Sequence, residues 1–588
     1  MLVPVRRTLL FLPVLLWLVA GCTSQTTRQS QETGGTNYSQ TPPPAQPLPT
    51  GVDAAAVSAR LQAIAAAGQL AGLRYPDFSD YRLHFQHIYD SSSFSPVWLQ
   101  NGQPTAQALG VIQAIGDSQR KGLDPEEYDA SQWQTRIASL KTNGATAETV
   151  GNFDAALTVA TMRYISDLHI GRVDPSNFKF GIDIEQNKYD LPQFVTTKVI
   201  HAADVASVLA GVEPPYNGYK RTEAALEQYE QLAAKGDGPN VPDVQKSVAP
   251  GDAYAGSAAL AARLRLLGDL PQDAAANVDP QKYDPALAEA VKHFQDRHGL
   301  AADGKLGKDT IRQLNVPLAN RVVQLQDALE RWRWLPPQFP QPPIVVNIPE
   351  FALRVIDANQ QVALSMNVVV GKAVRTQTPV FAKDMKYIVF RPYWNVPPSI
   401  VRAETIPAIV KNRNYIRDKG FEVTDTSGRL ITSGTISDDV LAQLRAGKLM
   451  VRQKPGPTNA LGLVKFIFPN ENNVYLHSTP APQLFAQSRR DFSHGCVRVE
   501  KPADLAAYLL RNQPPWTAER VQAAMQSGPD NQQVNLAIPV PVLILYQTAV
   551  VEPDNSVHFF DDIYGHDKEL NAVLAKGPPF PYKTAASK

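Results

Sequence analysis

The residues best suited to chemistry are a cysteine and two histidines in the last quarter of the chain. Cys496 lies in DFSHGCVRVE (491–500), two residues after His494, and His477 lies in VYLHST just upstream. A cysteine acts as a nucleophile only where a base or a cluster of amide donors favours its thiolate. His494 is so near along the chain that it is poorly placed to take the thiol proton, whereas His477 comes from a separate predicted strand. His477 and Cys496 are therefore the candidate pair, and a buried inert thiol is the alternative.

The start of the chain indicates export. Arg6 and Arg7 precede an apolar run at residues 9–19, and two small residues then lead to Cys22. This is the layout of a secretory signal peptide, and the run is shorter than the roughly 20 residues of a membrane-spanning helix. VAGC (19–22) resembles a bacterial lipobox, in which the cysteine becomes the lipidated first residue. We therefore expect a signal peptide at 1–21 and lipidation of Cys22, with an uncleaved anchor as the alternative.

The expected export of the protein gives a reason to regard Cys496 as functional. The chain has two cysteines, so if Cys22 carries lipid, Cys496 cannot form an intramolecular disulfide. An exported protein works in an oxidising compartment, where an unpaired thiol is a liability unless it is used. Residues 22–51 are rich in Ser, Thr, Gln and Pro and are predicted to form a disordered tether. We expect a periplasmic, membrane-tethered lipoprotein, and Thr23 in place of Asp after Cys22 favours the outer membrane.

The charge balance limits the class of partner. The 588 residues include 57 basic and 56 acidic side chains, and removal of Arg6 and Arg7 with the signal leaves 55 basic residues. Nucleic-acid-binding proteins usually carry a strong basic excess, so no nucleic acid is expected as a partner. More than 500 residues after the tether predict several domains.

The first part of the body is predicted to be helical. VSARLQAIAAAGQL and NFDAALTVATMRYISDLHI place apolar residues three and four apart, which favours a helical scaffold domain at 52–230. After a Gly- and Pro-rich linker, residues 257–316 form a predicted module in which Leu287, Val291 and Phe294 share one helix face. Its segment AVKHFQDRHGLAADGKLGKDTIRQLN resembles the small three-helix peptidoglycan-binding module. A helical hairpin without a ligand is the alternative.

From about residue 340 the pattern changes to strands. PIVVNIPEFALRVID, QQVALSMNVVVGK, MKYIVFRPYWNVP and KFIFPNENNVYLHST are rich in β-branched and aromatic residues and partly alternate. KPADLAAYLLRN (501–512) is predicted to be a short helix with Pro502 in its first turn. VNLAIPVPVLILYQTAVVE (534–552) supplies late strands in a C-terminal extension at 513–588.

The segments HST and SHGCVRV together resemble the motif of the L,D-transpeptidases, the cysteine enzymes that cross-link bacterial peptidoglycan. The similarity spans roughly 342–512, and the order of signal, helical scaffold, peptidoglycan-binding module and catalytic domain resembles one subgroup of that family. It implies a multidomain α+β protein with a β-sandwich-like catalytic domain at 340–512 and a lid insertion at about 398–462. The family pattern often has Asn two or three residues after the Arg, where this chain has Glu500 and Lys501.

The resemblance also implies catalytic roles. Cys496 is the nucleophile, and His477 is the base that withdraws its proton. Ser478 orients the imidazole through its backbone carbonyl, the role that a carboxylate has in serine triads. The amides of Gly495 and Cys496, with that of His494, form the oxyanion hole.

Substrate contacts are expected around this centre. Arg498 can pair with a stem-peptide carboxylate in a two-pronged contact. Tyr475 lies two residues before His477 and therefore shares its strand face. Trp394 and Asn395 lie where the chain enters the insertion, and the tryptophan suits an aromatic wall or a core position equally.

The implied reaction is an acyl transfer that uses no metal and no cofactor. The thiolate attacks the carbonyl of the third residue of a donor tetrapeptide stem, D-alanine leaves, and an amine of a neighbouring stem resolves the thioester into a 3→3 cross-link. With water as acceptor the chain would be an L,D-carboxypeptidase, and with a lipoprotein lysine an anchoring enzyme. A carbapenem is expected to acylate Cys496.

Four other interpretations compete. His477, His494 and Cys496 offer nitrogen and sulfur donors for zinc, but familiar zinc motifs are missing from the sequence. Sortases share the order His, Cys, Arg but have a Thr-Leu-x-Thr pattern before the cysteine, and wall-hydrolysing cysteine peptidases place the cysteine before the histidine. A tethered, non-catalytic peptidoglycan-binding scaffold is the alternative from another class, and the retained His477/Cys496 pair argues against it.

Overall fold

The computed structural model describes residues 48–141, 145–273, 281–374 and 376–580. Residues 1–47, which hold the predicted signal peptide, Cys22 and most of the predicted tether, lie outside the described residues. Leu48, at the end of that tether, packs against the core of the helical region.

The N-terminal region is helical, as predicted. Its first helix begins where the Asp53 side chain accepts a hydrogen bond from the Ala55 amide and ends at Gly68, which is left-handed at φ +62°. The fifth helix is buried on almost all sides and forms the centre of this core. The elements are α1 (Ala54–Ala67), α2 (Arg82–Ser91), β1 (Leu99–Gln100), β2 (Gln103–Pro104), α3 (Ala106–Gly116), α4 (Trp133–Lys141), α5 (Ala147–Ile170), α6 (Leu191–Phe194), α7 (Val205–Ala210) and α8 (Asn217–Lys235).

A small helical module follows, with its own core. Its helices are α9 (Ser257–Leu266), α10 (Ala288–Asp296) and α11 (Lys308–Leu314). The predicted apolar face is buried, with Leu287, Val291 and Phe294 at most 3% exposed. Val241 and Val244, which the sequence places in a linker, also lie in this core, so that segment is part of the packed module.

Helix α12 (Leu318–Arg333) connects the regions through buried charged groups. Glu330 accepts hydrogen bonds from the backbone amides of Arg172 and Val173, at 2.6 and 3.1 Å, after the end of α5. Arg331 pairs with Asp567 near the C-terminus at 2.6 Å. A buried charge is costly unless it is paired, so these contacts fix α12 against both neighbours.

The predicted catalytic region is built on a nine-stranded sheet, and an additional strand pairing closes this sheet on itself. The strand order is β13-β5-β14-β12-β11-β6-β15-β3-β4. The strands are β3 (Ile344–Asn347), β4 (Ala352–Ile356), β5 (Val362–Gly371), β6 (Phe381–Phe390), β11 (Val464–Ile467), β12 (Leu476–His477), β13 (Asp491–Ser493), β14 (Val497–Val499) and β15 (Gln532–Leu545).

The insertion between β6 and β11 is a subdomain with its own sheet and core. Its sheet has the order β7-β10-β8-β9, and Ile409, Ile416, Val423 and Val451 are fully buried within it. The elements are β7 (Trp394–Asn395), α13 (Pro398–Ile400), a π-helical turn (Val401–Thr405), α14 (Ile406–Lys411), α15 (Tyr415–Asp418), β8 (Phe421–Thr424), β9 (Leu430–Thr432), α16 (Asp438–Arg445) and β10 (Met450–Gln453).

The C-terminal part is integrated into the nine-stranded sheet. Although β15 lies in the predicted extension, it is the longest strand and pairs with both β6 and β3. The remaining elements are α17 (Pro502–Leu510), α18 (Ala518–Gln526), β16 (Ala549–Val551), β17 (Val557–Phe559) and α19 (His566–Leu574). Within the described ranges, none of the helices has both the length and the apolar content to cross a membrane.

Candidate active site

The sheet places His477 and Arg498 side by side. β12 and β14 run parallel, with Leu476 opposite Val497 and His477 opposite Arg498. Successive side chains of a strand point to opposite faces. Leu476 and Val497 are fully buried in the core, so His477 and Arg498 share the other face. Cys496 directly precedes β14, and the same alternation places it on the face of Arg498.

The turn before Cys496 requires glycine. Gly495 has a φ of +115°, in a region that residues with a Cβ rarely adopt. The Gly495 amide donates to Oγ of Ser493 at 3.1 Å, and this hydroxyl donates to the Cys496 carbonyl at 2.5 Å. Oγ1 of Thr378 donates to the Gly495 carbonyl at 2.8 Å. These bonds fix the backbone on which Cys496 stands.

The thiol of Cys496 is half-buried and contacts the segment before β12. Its Sγ lies 3.7 Å from the carbonyl oxygen of Asn473, and Tyr475 contacts it through its backbone amide and its hydroxyl. Burial raises the pKa of the thiol, although Tyr475 and the charge of Arg498 act in the opposite direction. The resting thiol is therefore protonated at neutral pH.

His477 is buried and held by a backbone carbonyl. Its Nδ1 lies 2.5 Å from the carbonyl oxygen of Ser478. Because a carbonyl only accepts, Nδ1 carries the proton and Nε2 keeps a free lone pair. Burial and the nearby charge of Arg498 lower the pKa of His477 to about 3, although the carbonyls of Ser478 and Leu461 favour the protonated ring. His477 is therefore neutral near pH 7, as a general base must be.

The thiol and the imidazole are linked through Tyr475 in this resting arrangement. Among the described residues, the Cys496 sulfur contacts the Asn473 carbonyl and Tyr475, and His477 is not one of its hydrogen-bond partners. The ring of Tyr475, whose hydroxyl contacts the thiol, lies 5.8 Å from the ring of His477, centre to centre. Transfer of the thiol proton to His477 thus requires a rotation of the Cys496 side chain. Catalytic hydrogen bonds that are long in a free enzyme often tighten when substrate binds.

The backbone amides of the turn differ in availability. The Gly495 amide is engaged by Ser493. The amides of His494 and Cys496 have no acceptor among the described residues. These two amides are therefore free to donate hydrogen bonds to a substrate oxygen on which negative charge develops.

The insertion contacts the site at two places. The Trp394 side chain hydrogen-bonds the Tyr475 hydroxyl, and its ring lies 6.2 Å from that of Phe421 in the insertion core. Trp394 therefore serves both the wall of the site and the insertion core. The second place is His494, whose Nε2 lies 2.8 Å from Oε1 of Glu404.

One of the predicted site residues lies elsewhere. Asn395 is exposed and pairs with Arg452 in the insertion sheet. At the positions where the family pattern often has Asn, Glu500 accepts from the Asn367 amide and Lys501 donates to the Ser365 carbonyl, both at 3.0 Å. Glu500 and Lys501 thus tie the end of the motif to β5.

Several residues of the site were not identified from the sequence. Lys465 on β11 is the cross-strand partner of His477. Gly462 approaches Ser478 so closely that a Cβ there would lie 2.4 Å from the serine Oγ. Asn473, whose carbonyl oxygen contacts the thiol, has a left-handed backbone conformation with a φ of +54°. The alternation in KFIF does place Lys465 opposite the core face, but the register between β11 and β12 has no local sequence signal.

The chemistry available here is nucleophilic and basic. Within the described ranges, no group of three or more His, Cys, Asp or Glu side chains is arranged to hold a metal ion. Cys22, the predicted lipidation site, lies outside the described residues. The residues brought together on one face are Cys496, His477, Tyr475 and Arg498, with the Ser478 carbonyl behind the imidazole.

Three parts of the chain match known domain families. Residues 341–522 match the model of an L,D-transpeptidase catalytic domain, and residues 84–226 match a scaffold domain. Residues 256–314 match a domain described as "Putative peptidoglycan binding domain". A Haemophilus influenzae protein named "Putative L,D-transpeptidase" is 32% identical over 228 residues, which are 39% of this chain and 45% of that protein. The chain thus spans less than half the length of this relative.

Each match falls on a separate part of the described fold: the N-terminal helices, the small helical module, and the closed sheet that carries Cys496 and His477. The chain therefore carries the catalytic domain of the L,D-transpeptidase family, together with the scaffold and peptidoglycan-binding domains that its sequence predicts.

Proposed function

We propose that this chain is an L,D-transpeptidase that cross-links peptidoglycan stem peptides through an acyl-enzyme on Cys496, with release of D-alanine. The observation that carries the proposal is the neutral imidazole of His477, fixed at 2.5 Å by the Ser478 carbonyl, on the sheet face that also presents Cys496. The peptidoglycan-binding domain supports the substrate class.

Acylation uses the free Nε2 of His477. As the thiol turns to the imidazole, its proton moves to Nε2, and Sγ bonds to the carbonyl carbon of the third stem residue. The amides of His494 and Cys496 stabilise the oxyanion, and one such donor contributes about 10²–10³ in rate. When the intermediate collapses, the C–N bond to D-alanine breaks and the imidazolium protonates the leaving amine. A thioester and free D-alanine result.

Deacylation reverses these proton transfers. The side-chain amine of a neighbouring stem attacks the thioester carbonyl and gives a proton to Nε2 of His477. The C–S bond breaks, and the thiolate of Cys496 takes that proton back. The product is a 3→3 cross-link. Water in the place of the amine gives a trimmed tripeptide, the carboxypeptidase outcome, and the lysine of a lipoprotein gives an anchored protein.

Product analysis tests the proposal. The purified protein is incubated with disaccharide-tetrapeptide, and the products are separated and identified by mass. We expect dimers one D-alanine lighter than two substrates, and none with Cys496→Ala. Tripeptide alone would identify a carboxypeptidase. Unchanged substrate with the wild-type protein would contradict both.

A non-catalytic wall-binding scaffold makes a different prediction. A carbapenem has a strained acyl group that an active thiolate attacks, so we expect the intact mass of the wild-type protein to increase by one carbapenem. The adduct should map to Cys496 and be lost in Cys496→Ala. An unmodified wild-type protein under the same conditions would favour the scaffold.

We also propose that the protein is exported and lipid-tethered through Cys22. The apolar run and the lipobox-like residues 19–22 support this proposal. Cells fed an alkyne-labelled fatty acid should label the wild-type protein and leave Cys22→Ala unlabelled. Equal labelling of both proteins would contradict it.

A further inference from the structure

The face of the sheet that holds His477 carries a cation on each side of it. Across β14, β12 and β11, the cross-strand partners are Arg498, His477 and Lys465 in that order. Neighbouring strands lie about 4.8 Å apart, and partners in register point to the same face. The imidazole therefore stands between a guanidinium and an ammonium group.

Among the described residues, Lys465 has no anionic partner. No carboxylate there pairs with it, and burial alone accounts for the lowering of its pKa. Its cross-strand neighbour on the other side is Val389 of β6. Its Nζ lies 6.0 Å from the centre of the Tyr475 ring, whose hydroxyl contacts the thiol. A half-buried ammonium without a counter-charge is unfavourable for folding. An anionic group of a bound substrate would supply the counter-charge that Lys465 lacks.

The proton path fixes which substrate group comes near Lys465. His477 must protonate the leaving amine, so that nitrogen lies over the imidazole during collapse. Cys496 lies on the β14 side of His477 and Lys465 lies on the β11 side. In an amino acid, the α-carboxylate is one carbon beyond the amine. The α-carbon of the leaving amino acid carries a methyl group and a carboxylate, and of these two the carboxylate is the one that the Lys465 ammonium attracts into the space past His477, away from the sulfur.

We propose that Lys465 binds the terminal α-carboxylate of the leaving amino acid and thereby selects donors that end at this residue. The inference rests on the proposed function and adds a specificity residue to it. Arg498, on the other side of His477, remains available for a carboxylate on the acyl part of the donor. A donor extended by one residue moves its carboxylate about 3.5 Å further and places a neutral amide beside Lys465.

The test compares two donors that differ only at the terminus. The intact protein is given the stem tetrapeptide as its free acid or as its C-terminal amide, and release of D-alanine or D-alaninamide is measured. We expect the wild type to prefer the acid by about 10- to 100-fold in kcat/KM, as for a hydrogen bond to a charged group. Lys465→Met should lose this preference because its rate with the acid falls, while its rate with the amide is kept. Lys465→Arg should restore most of it.

Controls separate specificity from folding and from the function itself. Lys386→Met removes an exposed lysine from the neighbouring strand β6 and should keep the wild-type preference. If Lys465→Met does not fold, Lys465→Gln replaces it, and the rate with the amide donor reports an intact site. An unchanged acid preference in the Lys465 variants would overturn the inference and leave the transpeptidase proposal standing. Failure of the wild type to release either product would overturn both.

Discussion

At the scale of single residues, the resting site is electrically neutral where the chemistry takes place. Burial raises the pKa of Cys496 and lowers that of His477 to about 3, so the thiol–imidazole form is favoured over the thiolate–imidazolium pair. The contact of the sulfur with the Asn473 carbonyl agrees with this, because a carbonyl accepts from a thiol and repels a thiolate. Under the proposed function, the thiol is therefore activated when substrate reaches it.

This neutrality predicts how Cys496 reacts with iodoacetamide. Only the thiolate is alkylated, so the rate should be low at pH 5–7 and should rise steeply above the ordinary thiol pKa. In Tyr475→Phe one contact that favours the thiolate is lost, and we expect alkylation about 2- to 10-fold slower at a fixed pH. Cys496→Ala gives the background. A rate that stays high down to pH 5 would show an ion pair and contradict this description.

The buried His477 also predicts a pH dependence of stability. The folded-state pKa is about 3, and the unfolded value is near 6.5. Between these values the unfolded chain binds a proton that the folded chain does not, so the stabilisation is present above about pH 6.5 and is lost as the pH falls towards 3. Between pH 7 and 4, we expect the free energy of unfolding in urea to fall less in His477→Gln than in the wild type. The difference between the two decreases should be on the order of a few kcal/mol. Equal decreases in the two proteins would refute the lowered pKa of His477 in the folded state.

At the scale of elements, the site depends on the glycine turn between β13 and β14. A Cβ on Gly495 has room, since the nearest atom lies 3.7 Å away, but its φ of +115° is strained for alanine. We expect Gly495→Ala to lower stability by about 1–2 kcal/mol and to slow acylation by a carbapenem at least about 10-fold, because the turn sets both Cys496 and the oxyanion amides.

A matched glycine gives the control for this turn. Gly72 is exposed and has a φ of +93°, and a Cβ added to it would meet no described atom within 4 Å. It lies far from Cys496 along the chain. Gly72→Ala should lose stability as Gly495→Ala does and keep the wild-type acylation rate. Wild-type acylation by Gly495→Ala would show that the turn does not position the nucleophile.

The elements show which local patterns the sequence could reveal. The helix predicted within 501–512 is α17, and the strand-rich segments PIVVNIPEFALRVID and QQVALSMNVVVGK contain β3, β4 and β5. The strand predicted across 465–479 is instead two strands, β11 and β12, with left-handed Asn473 in the turn between them. Periodicity identified the apolar residues of this segment, but the Asn-rich stretch PNENN breaks the strand.

At the scale of the whole molecule, the site depends on residues far along the chain. Tyr564, after β17, accepts from the Thr378 amide at 3.2 Å and donates to the Gly371 carbonyl at 2.6 Å. Thr378 in turn holds the carbonyl of Gly495. Such contacts could not be predicted from one sequence, because neither the order of the strands nor their register is encoded locally. The candidate pair Cys496 and His477, in contrast, could be predicted from the sequence, because their residue types and motif are local.

The position of β15 predicts the effect of truncation. This strand lies between β6 and β3 and hydrogen-bonds both, so a stop after residue 528 leaves two exposed edges in a sheet that is otherwise closed. We expect this protein to be insoluble or to lack a cooperative thermal transition. A stop after residue 580, which keeps every described residue, should leave the transition unchanged. A cooperatively folded 1–528 protein would contradict the assignment of β15 to the catalytic sheet.

The central claim is that His477 is the base for Cys496, and the rate of acyl-enzyme formation tests it most directly. The wild-type protein and His477→Gln are mixed with donor tetrapeptide at neutral pH, and the thioester on Cys496 is followed by intact mass over time. We predict that the wild type gains the acyl tripeptide as D-alanine is released, and that His477→Gln does so at least about 100-fold more slowly. Equal rates in the two proteins would contradict the claim.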